Sequence, residues 1–265
     1  DSNNSSYVQN VGGVNVIDTV TATAANDSVT GNAAGGSYRI EAGGNINVND
    51  RVGGDSVSLI ANGGNLTLND SVGGGGTSRI VLSATGDLIQ STGVVQATNL
   101  GLDATNIGTS ANSFDTNVAN LTIDSEGNAY VEDVDGVRIL NATSSTGAND
   151  TVTGNDATGD FRLVANGQIL VADDVTGGDI SLNANGGNLV LGGSVGDGGT
   201  VDTVLATTGD LIQTSGTVVS TNLGLDAANV GSVATPLGID ADNLAINADT
   251  DVFVSDSDDV TLVNS

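Results

Sequence analysis

The sequence predicts an all-β fold, a parallel β-helix (β-solenoid) of about 20 residues per coil with six coils in each 123-residue repeat. Three observations carry this. The chain matches itself without a gap when shifted by 123 residues, roughly half of the paired positions being identical. Within that repeat a five-residue phrase (bulky, any, bulky, any, small) returns about every 20 residues. No segment shows a sustained 3.6-residue apolar period, which argues against helices.

The long repeat divides the chain into units 1–123 and 124–246 and a partial third copy, 247–265, read as one continuous solenoid. Asn26-Asp27-Ser28-Val29-Thr30-Gly31-Asn32 falls on Asn149-Asp150-Thr151-Val152-Thr153-Gly154-Asn155, and Tyr7 falls on Tyr130 and Phe253. The short phrase has central residues Ile40, Leu59, Leu82, Leu102, Ile123, Ile139 and Leu163, spaced 19, 23, 20, 21, 16 and 24 residues apart, six steps that close on 123.

Each element of the short unit has a physical reason. Alternation places the first, third and fifth side chains of the phrase on one strand face, with Ala fifth where the chain nears a corner. Asn or Asp ends the following turn, at Asn45, Asn65, Asp87, Asn106 and Asn128 in the first unit. These residues tolerate left-handed geometry and bond their own backbone. A second short strand follows, such as Ile46-Asn47-Val48 or Leu66-Thr67-Leu68, and then a Gly-rich bend such as Val72-Gly73-Gly74-Gly75-Gly76. One such unit cannot bury its apolar face, whereas stacked units can. The chain length then predicts roughly 13 coils and a rod on the order of 60 Å long. Tandem β-sandwich domains, the main rival, leave the 20-residue sub-repeat without a cause.

Composition narrows the partners. Five basic residues, all Arg, stand against 32 acidic ones, for a net charge of −27. Such a chain does not bind nucleic acid, which needs clustered Lys and Arg, and anionic membrane surfaces repel it. Its expected charged partners are cations. It contains no Cys, so disulfides and Cys-based metal sites are excluded together. The hydrophobic fraction of 38% in strand-like alternation argues for a folded chain rather than a disordered one. No apolar run reaches the roughly 18 residues that would cross a bilayer as a helix, so membrane insertion is not expected.

Two features resemble a known group, the filamentous-haemagglutinin-like large exoproteins, giant bacterial β-helix adhesins of the cell surface. One is the strand-turn-strand phrase Leu59-Ile60-Ala61-Asn62-Gly63-Gly64-Asn65-Leu66-Thr67-Leu68. The other is Ile107-Gly108-Thr109-Ser110-Ala111-Asn112-Ser113-Phe114 followed by Leu121-Thr122-Ile123, with the second copy Val230-Gly231-Ser232-Val233-Ala234-Thr235-Pro236-Leu237. The resemblance implies secretion, a right-handed helix of strands, and a stalk or adhesive role.

Candidate chemistry is sparse. The densest carboxylate group is Asp249, Asp251, Asp256, Asp258 and Asp259, candidate Ca²⁺ ligands because that ion takes six to eight oxygens. The counterparts Glu126, Asn128, Asp133, Asp135 and Gly136 are less acidic, so the favoured reading is a solvated acidic face, with Ca²⁺ as the alternative. The 26–32 phrase occurs once per 123 residues, whereas Ca²⁺-binding nonapeptides recur in tandem at period nine, and it reads as a loop between coils. Asp103, Asp226, Arg39 and Arg162 are the residue types of polysaccharide-active enzymes. A near-duplicated chain offers each twice, and without His, Lys or Cys most nucleophile and base arrangements are lost, so no enzyme is expected. Thr21 and Thr23 do not recur on successive coils as ice binding requires. Asn-x-Ser/Thr matches at Asn26, Asn65, Asn69, Asn120, Asn141 and Asn149 arise easily in such a composition.

The resulting expectation is a structural stalk or spacer module of a secreted surface fibre, extracellular in location. A Ca²⁺- or glycan-binding module on an acidic face is the alternative. Neither Asp1–Tyr7 nor Val260–Ser265 resembles a cap, so the expected partners are further copies of the repeat, in the same chain or head to tail. Glycans or cell surfaces are secondary candidates.

Overall fold

The computed structural model describes residues 2–22, 27–145 and 150–264. Among these residues there is no helix; parallel strands stack as a β-solenoid of about 11 turns, about 21 residues apart. At one strand spacing per turn the stack rises about 50 Å. The difference from 13 turns arises because two stretches of chain leave the stack as lateral hairpins.

Interior ladders form as the alternation predicts. Strands Ser37–Ala42, Ser56–Ala61, Arg79–Ala84, Val95–Ala104 and Phe114–Ser125 pair in parallel. Ile40 lies opposite Leu59, Leu59 opposite Leu82, Leu82 opposite Leu102 and Leu102 opposite Ile123. All five are buried, and Ala42, Ala61, Ala84 and Ala104 occupy the narrowing corner beside them. The second strands Val14–Val16, Ile46–Val48, Leu66–Leu68 and Leu88–Gln90 build a neighbouring ladder on another side of the coil.

The corner asparagines carry hydrogen bonds up the stack. The Asn45 Oδ1 accepts the Asn65 N–H at 3.0 Å, the Asn65 Oδ1 accepts the Asp87 N–H at 3.0 Å, and Asn106 Nδ2 donates to Asp87 at 2.9 Å. The Asn106 Oδ1 then accepts the Asn128 N–H at 3.0 Å. A backbone that turns sharply leaves N–H groups unpaired within its own coil; each is met by a side chain of the coil below.

The unit boundary departs from the simple pattern. Ile139 does not extend the ladder of Ile40 and Ile123. Strand Val137–Ile139 pairs with Asn120-Leu121 below and with Ile169–Val171 above. In unit 124–246 the main ladder is instead Val131, Leu163, Leu182, Leu205, Leu225 and Ile246. Sixteen residues separate Ile123 from Ile139, too few for one turn of this coil, so Ile139 falls short of Ile123 and lies opposite Leu121 on the same strand.

The stretch after Ile139 leaves the stack. Ala142–Ser144 and Thr151–Thr153 pair antiparallel and fold back onto the outside of unit 1–123. They cover an outward column of stacked residues, Arg39, Ser58, Val81, Gly101 and Thr122. Val81 is 1% exposed although its side chain faces away from the interior. Gly101 has a steric reason: a Cβ there would lie 3.0 Å from Val152 Cβ and 3.3 Å from Thr143 Cβ. The Thr122 and Thr143 hydroxyls are 2.9 Å apart, and those of Ser56 and Ser145 are 2.8 Å apart. Arg39 donates from Nε and Nη2 to the two Asp150 oxygens at 3.0 and 3.1 Å, and from Nη1 to Glu41 at 2.7 Å. This two-pronged geometry is the strong form of an ion pair, and Ser58 donates to Asp150 as well.

The counterpart in unit 1–123, Thr19–Ala22 paired with Asp27–Thr30, has the same antiparallel register, Thr19 facing Thr30 as Ala142 faces Thr153. Within the 26–32 phrase expected as a loop between coils, Asp27–Thr30 is therefore one arm of a hairpin. Thr23, Asn26 and Asn149 lie outside the described residues.

Candidate functional site

The five candidate Ca²⁺ ligands fall at opposite ends of one strand, Leu237–Ala248. Asp249 and Asp251 follow that strand, where the Asp249 N–H bonds Ala227 O at 3.1 Å and the Asp251 N–H reaches Asn229 Oδ1 at 3.4 Å. They continue the corner ladder. Asp256 pairs in register with Ile239 at the other end, and Asp258 and Asp259 are exposed just beyond it. Among the described residues no three or more His, Cys, Asp or Glu side chains are grouped so as to hold a metal ion.

Asp256 has a backbone role, visible from its counterpart. Asp133 is 0% exposed, and its carboxylate accepts from Thr116 Oγ1 at 2.8 Å, the Val118 N–H at 3.0 Å and the Asp135 N–H at 3.0 Å. Burial raises its pKa, and these three donors hold the charged form against that shift. Asp256 repeats the pattern, accepting from the Ala241 N–H at 3.4 Å and the Asp258 N–H at 2.9 Å. The Asp258 carboxyl is raised above its ordinary range by its hydrogen bond to Asp256, by desolvation, and by the charges of Asp240, Asp256 and Asp242.

The residues weighed for catalysis are occupied in structural contacts. Asp103 accepts from Ser83 at 2.8 Å, and Asp226 accepts from Asn247 at 3.0 Å. Asp103, Asp124 and Asp156 stack in register on three successive turns. Desolvation, with repulsion from Asp156, Asp103 and Glu126, pushes the Asp124 carboxyl up to about 6.

Two grooves recur with the repeat and were missed as sites by sequence reasoning. One, of about 470 Å³, is lined by residues including Asp87, Ile89, Asn106, Thr109, Asn112 and Tyr130. The other, of about 370 Å³, is lined by their counterparts Asp210, Ile212, Asn229, Ser232, Thr235 and Phe253. Each sits under the 107–113 or 230–236 bend, whose Gly108 and Gly231 have φ of 60° and 61°. A Cβ on Gly108 would meet Tyr130 O at 2.7 Å, so the bend is pressed against the next coil and forms the groove wall. The Tyr130 hydroxyl donates to Asp160, which helps push its pKa up to about 12. The signal for the groove is the phrase 107–114 itself, whose recurrence at 230–237 marks the same wall in both units.

Fold and surface together define a repeat protein of the β-solenoid class. No family model matches the chain, and no curated protein or solved structure matches it either.

Proposed function

We propose that the chain is a structural stalk or spacer module of a secreted bacterial surface fibre, in the manner of the filamentous-haemagglutinin-like exoproteins whose repeat style it resembles. The observation that carries the reading is the continuous stack. Parallel pairing continues across the unit boundary, where Phe114 lies opposite Val131 and Ile123 opposite Asn155, and the carboxylates with catalytic residue types are engaged in ladder contacts. Ladders of parallel strands resist extension because many backbone hydrogen bonds bear the load together. Antibody raised against the chain is expected to decorate thin, unbranched fibres on the outside of intact source cells in electron micrographs. Labelling confined to the cell interior would refute the proposal.

A second reading, a glycan-binding module, is favoured by the duplicated groove with Asp, Asn and an aromatic edge. Glycan-array binding that is lost in Tyr130→Ala and Phe253→Ala together would support it; binding unchanged by that pair would exclude these grooves.

A further inference from the structure

The grooves under the 107–113 and 230–236 bends share a frame and differ in charge. Each is lined by successive coils of the stack. In each, a carboxylate is held by an amide of the next coil. Asn106 Nδ2 donates to Asp87 at 2.9 Å, and Asn229 Nδ2 donates to Asp210 at 2.7 Å. Apolar surface comes from Ile89 with Tyr130 in the first groove and from Ile212 with Phe253 in the second.

The charge difference lies at one position. Asn128 lines the first groove where Asp251 lines the second. The first lining therefore holds one carboxylate, Asp87, and the second holds two, Asp210 and Asp251. Asn128 receives the Asp160 N–H on its Oδ1 at 2.8 Å, and its Nδ2 donates to none of the described residues, which leaves that donor to the groove. An ionised Asp251 side chain offers acceptors only.

These groups match the surface of a pyranose. Its ring has a C–H face that packs on aromatic or aliphatic side chains, and hydroxyls around the edge that donate and accept. A hydroxyl donates to a carboxylate in a charge-assisted bond and accepts from an amide such as Asn128. Volumes of about 470 and 370 Å³ are those of small-ligand sites. No basic residue lines either groove, and the chain carries a net charge of −27, so a sugar acid is repelled from both.

We propose that the two grooves bind pyranose units of different charge, the first a neutral hexose and the second an amino sugar whose ammonium group is met by Asp210 and Asp251. The residue at 128 or 251 decides between them. The proposal rests on the glycan-binding reading and adds the chemical class of each ligand.

Single-groove chains separate the sites: Phe253→Ala keeps the first groove and Tyr130→Ala keeps the second. Each full-length chain is titrated by biolayer interferometry over surfaces bearing β-glucoside, β-glucosaminide or β-glucuronide at equal density, at about pH 6 so that the amino sugar is protonated. The ratio of glucosaminide to glucoside affinity is expected to be about fivefold or more higher for the second groove than for the first, and to shrink with added NaCl. The glucuronide is expected to bind both about tenfold more weakly than the glucoside. Asn128→Asp in the Phe253→Ala chain is expected to raise the ratio to that of the second groove, and Asp251→Asn in the Tyr130→Ala chain to lower it to that of the first. Asp251→Asn in the otherwise unaltered chain, with both rings intact, is expected to weaken glucosaminide binding and spare the glucoside, which keeps the test independent of any instability from the truncated rings. Ratios unmoved by these exchanges, or a preference for the glucuronide, would overturn the charge assignment and leave the glycan reading standing. Binding to none of the three surfaces by any chain would overturn both.

Discussion

Leu102 and Asp103 are adjacent in sequence and separate the inside of the stack from its outside. Leu102 is 0% exposed and lies between Leu82 and Ile123 in the ladder. Leu102→Asp removes a buried leucine, worth about 2–5 kcal/mol. It also leaves an unpaired carboxyl in an apolar ladder, at a further cost of about 1–3 kcal/mol even when protonated. A total of about 5 kcal/mol is expected. Asp103→Leu loses the 2.8 Å bond from Ser83 but relieves repulsion on Asp124; on a partly exposed face these nearly cancel, to within about 1 kcal/mol. For a chain of this size the difference corresponds to roughly 8–16 °C in melting temperature. Thermal melts followed by circular dichroism, with urea midpoints as a second measure, read it directly. Melts of the two variants that agree within about 2 °C would show the inward and outward assignment to be wrong.

Gly101→Leu is expected to force the 142–153 hairpin off its face, seen as faster hydrogen exchange and proteolysis at 142–153, while Gly224→Leu leaves both unchanged. The folded Asp124 carboxyl, at about 6 against an ordinary 3.8, binds protons that the unfolded chain releases. Its contribution to stability is therefore present below about pH 4 and lost as pH rises through about 6. Asp124→Asn should remove that dependence and stabilise the chain at pH 7 by about 1 kcal/mol after solvent screening, measured by urea titration at pH 4 and pH 7. With a net charge of −27, the melting temperature should rise with NaCl as repulsion is screened. An additional rise in millimolar Ca²⁺ over equal Mg²⁺ would indicate specific sites among Asp249–Asp259, and identical responses would indicate a diffuse acidic surface.

Sequence alone determined which side chains face inward. A period of two on a strand leaves only two faces, and the bulky residues at Ile40, Leu59, Leu82, Leu102 and Ile123 all lie on one of them. The corner asparagines were legible as turn residues, but the fold decided their partners: each side chain accepts from the backbone of the next coil, about 20 residues on, and not from its own turn. Tertiary structure decided where the phrase at Ile139 stacks, because alternation does not encode how far round the coil a strand lands. It also decided the role of Asp256, which the sequence shows as one of five neighbouring carboxylates and the fold ties to the Ala241 and Asp258 backbone. The burial of Val81 was not legible either, because its place in the phrase faces outward and only a hairpin about 60 residues further along the chain, folded back over it, covers it.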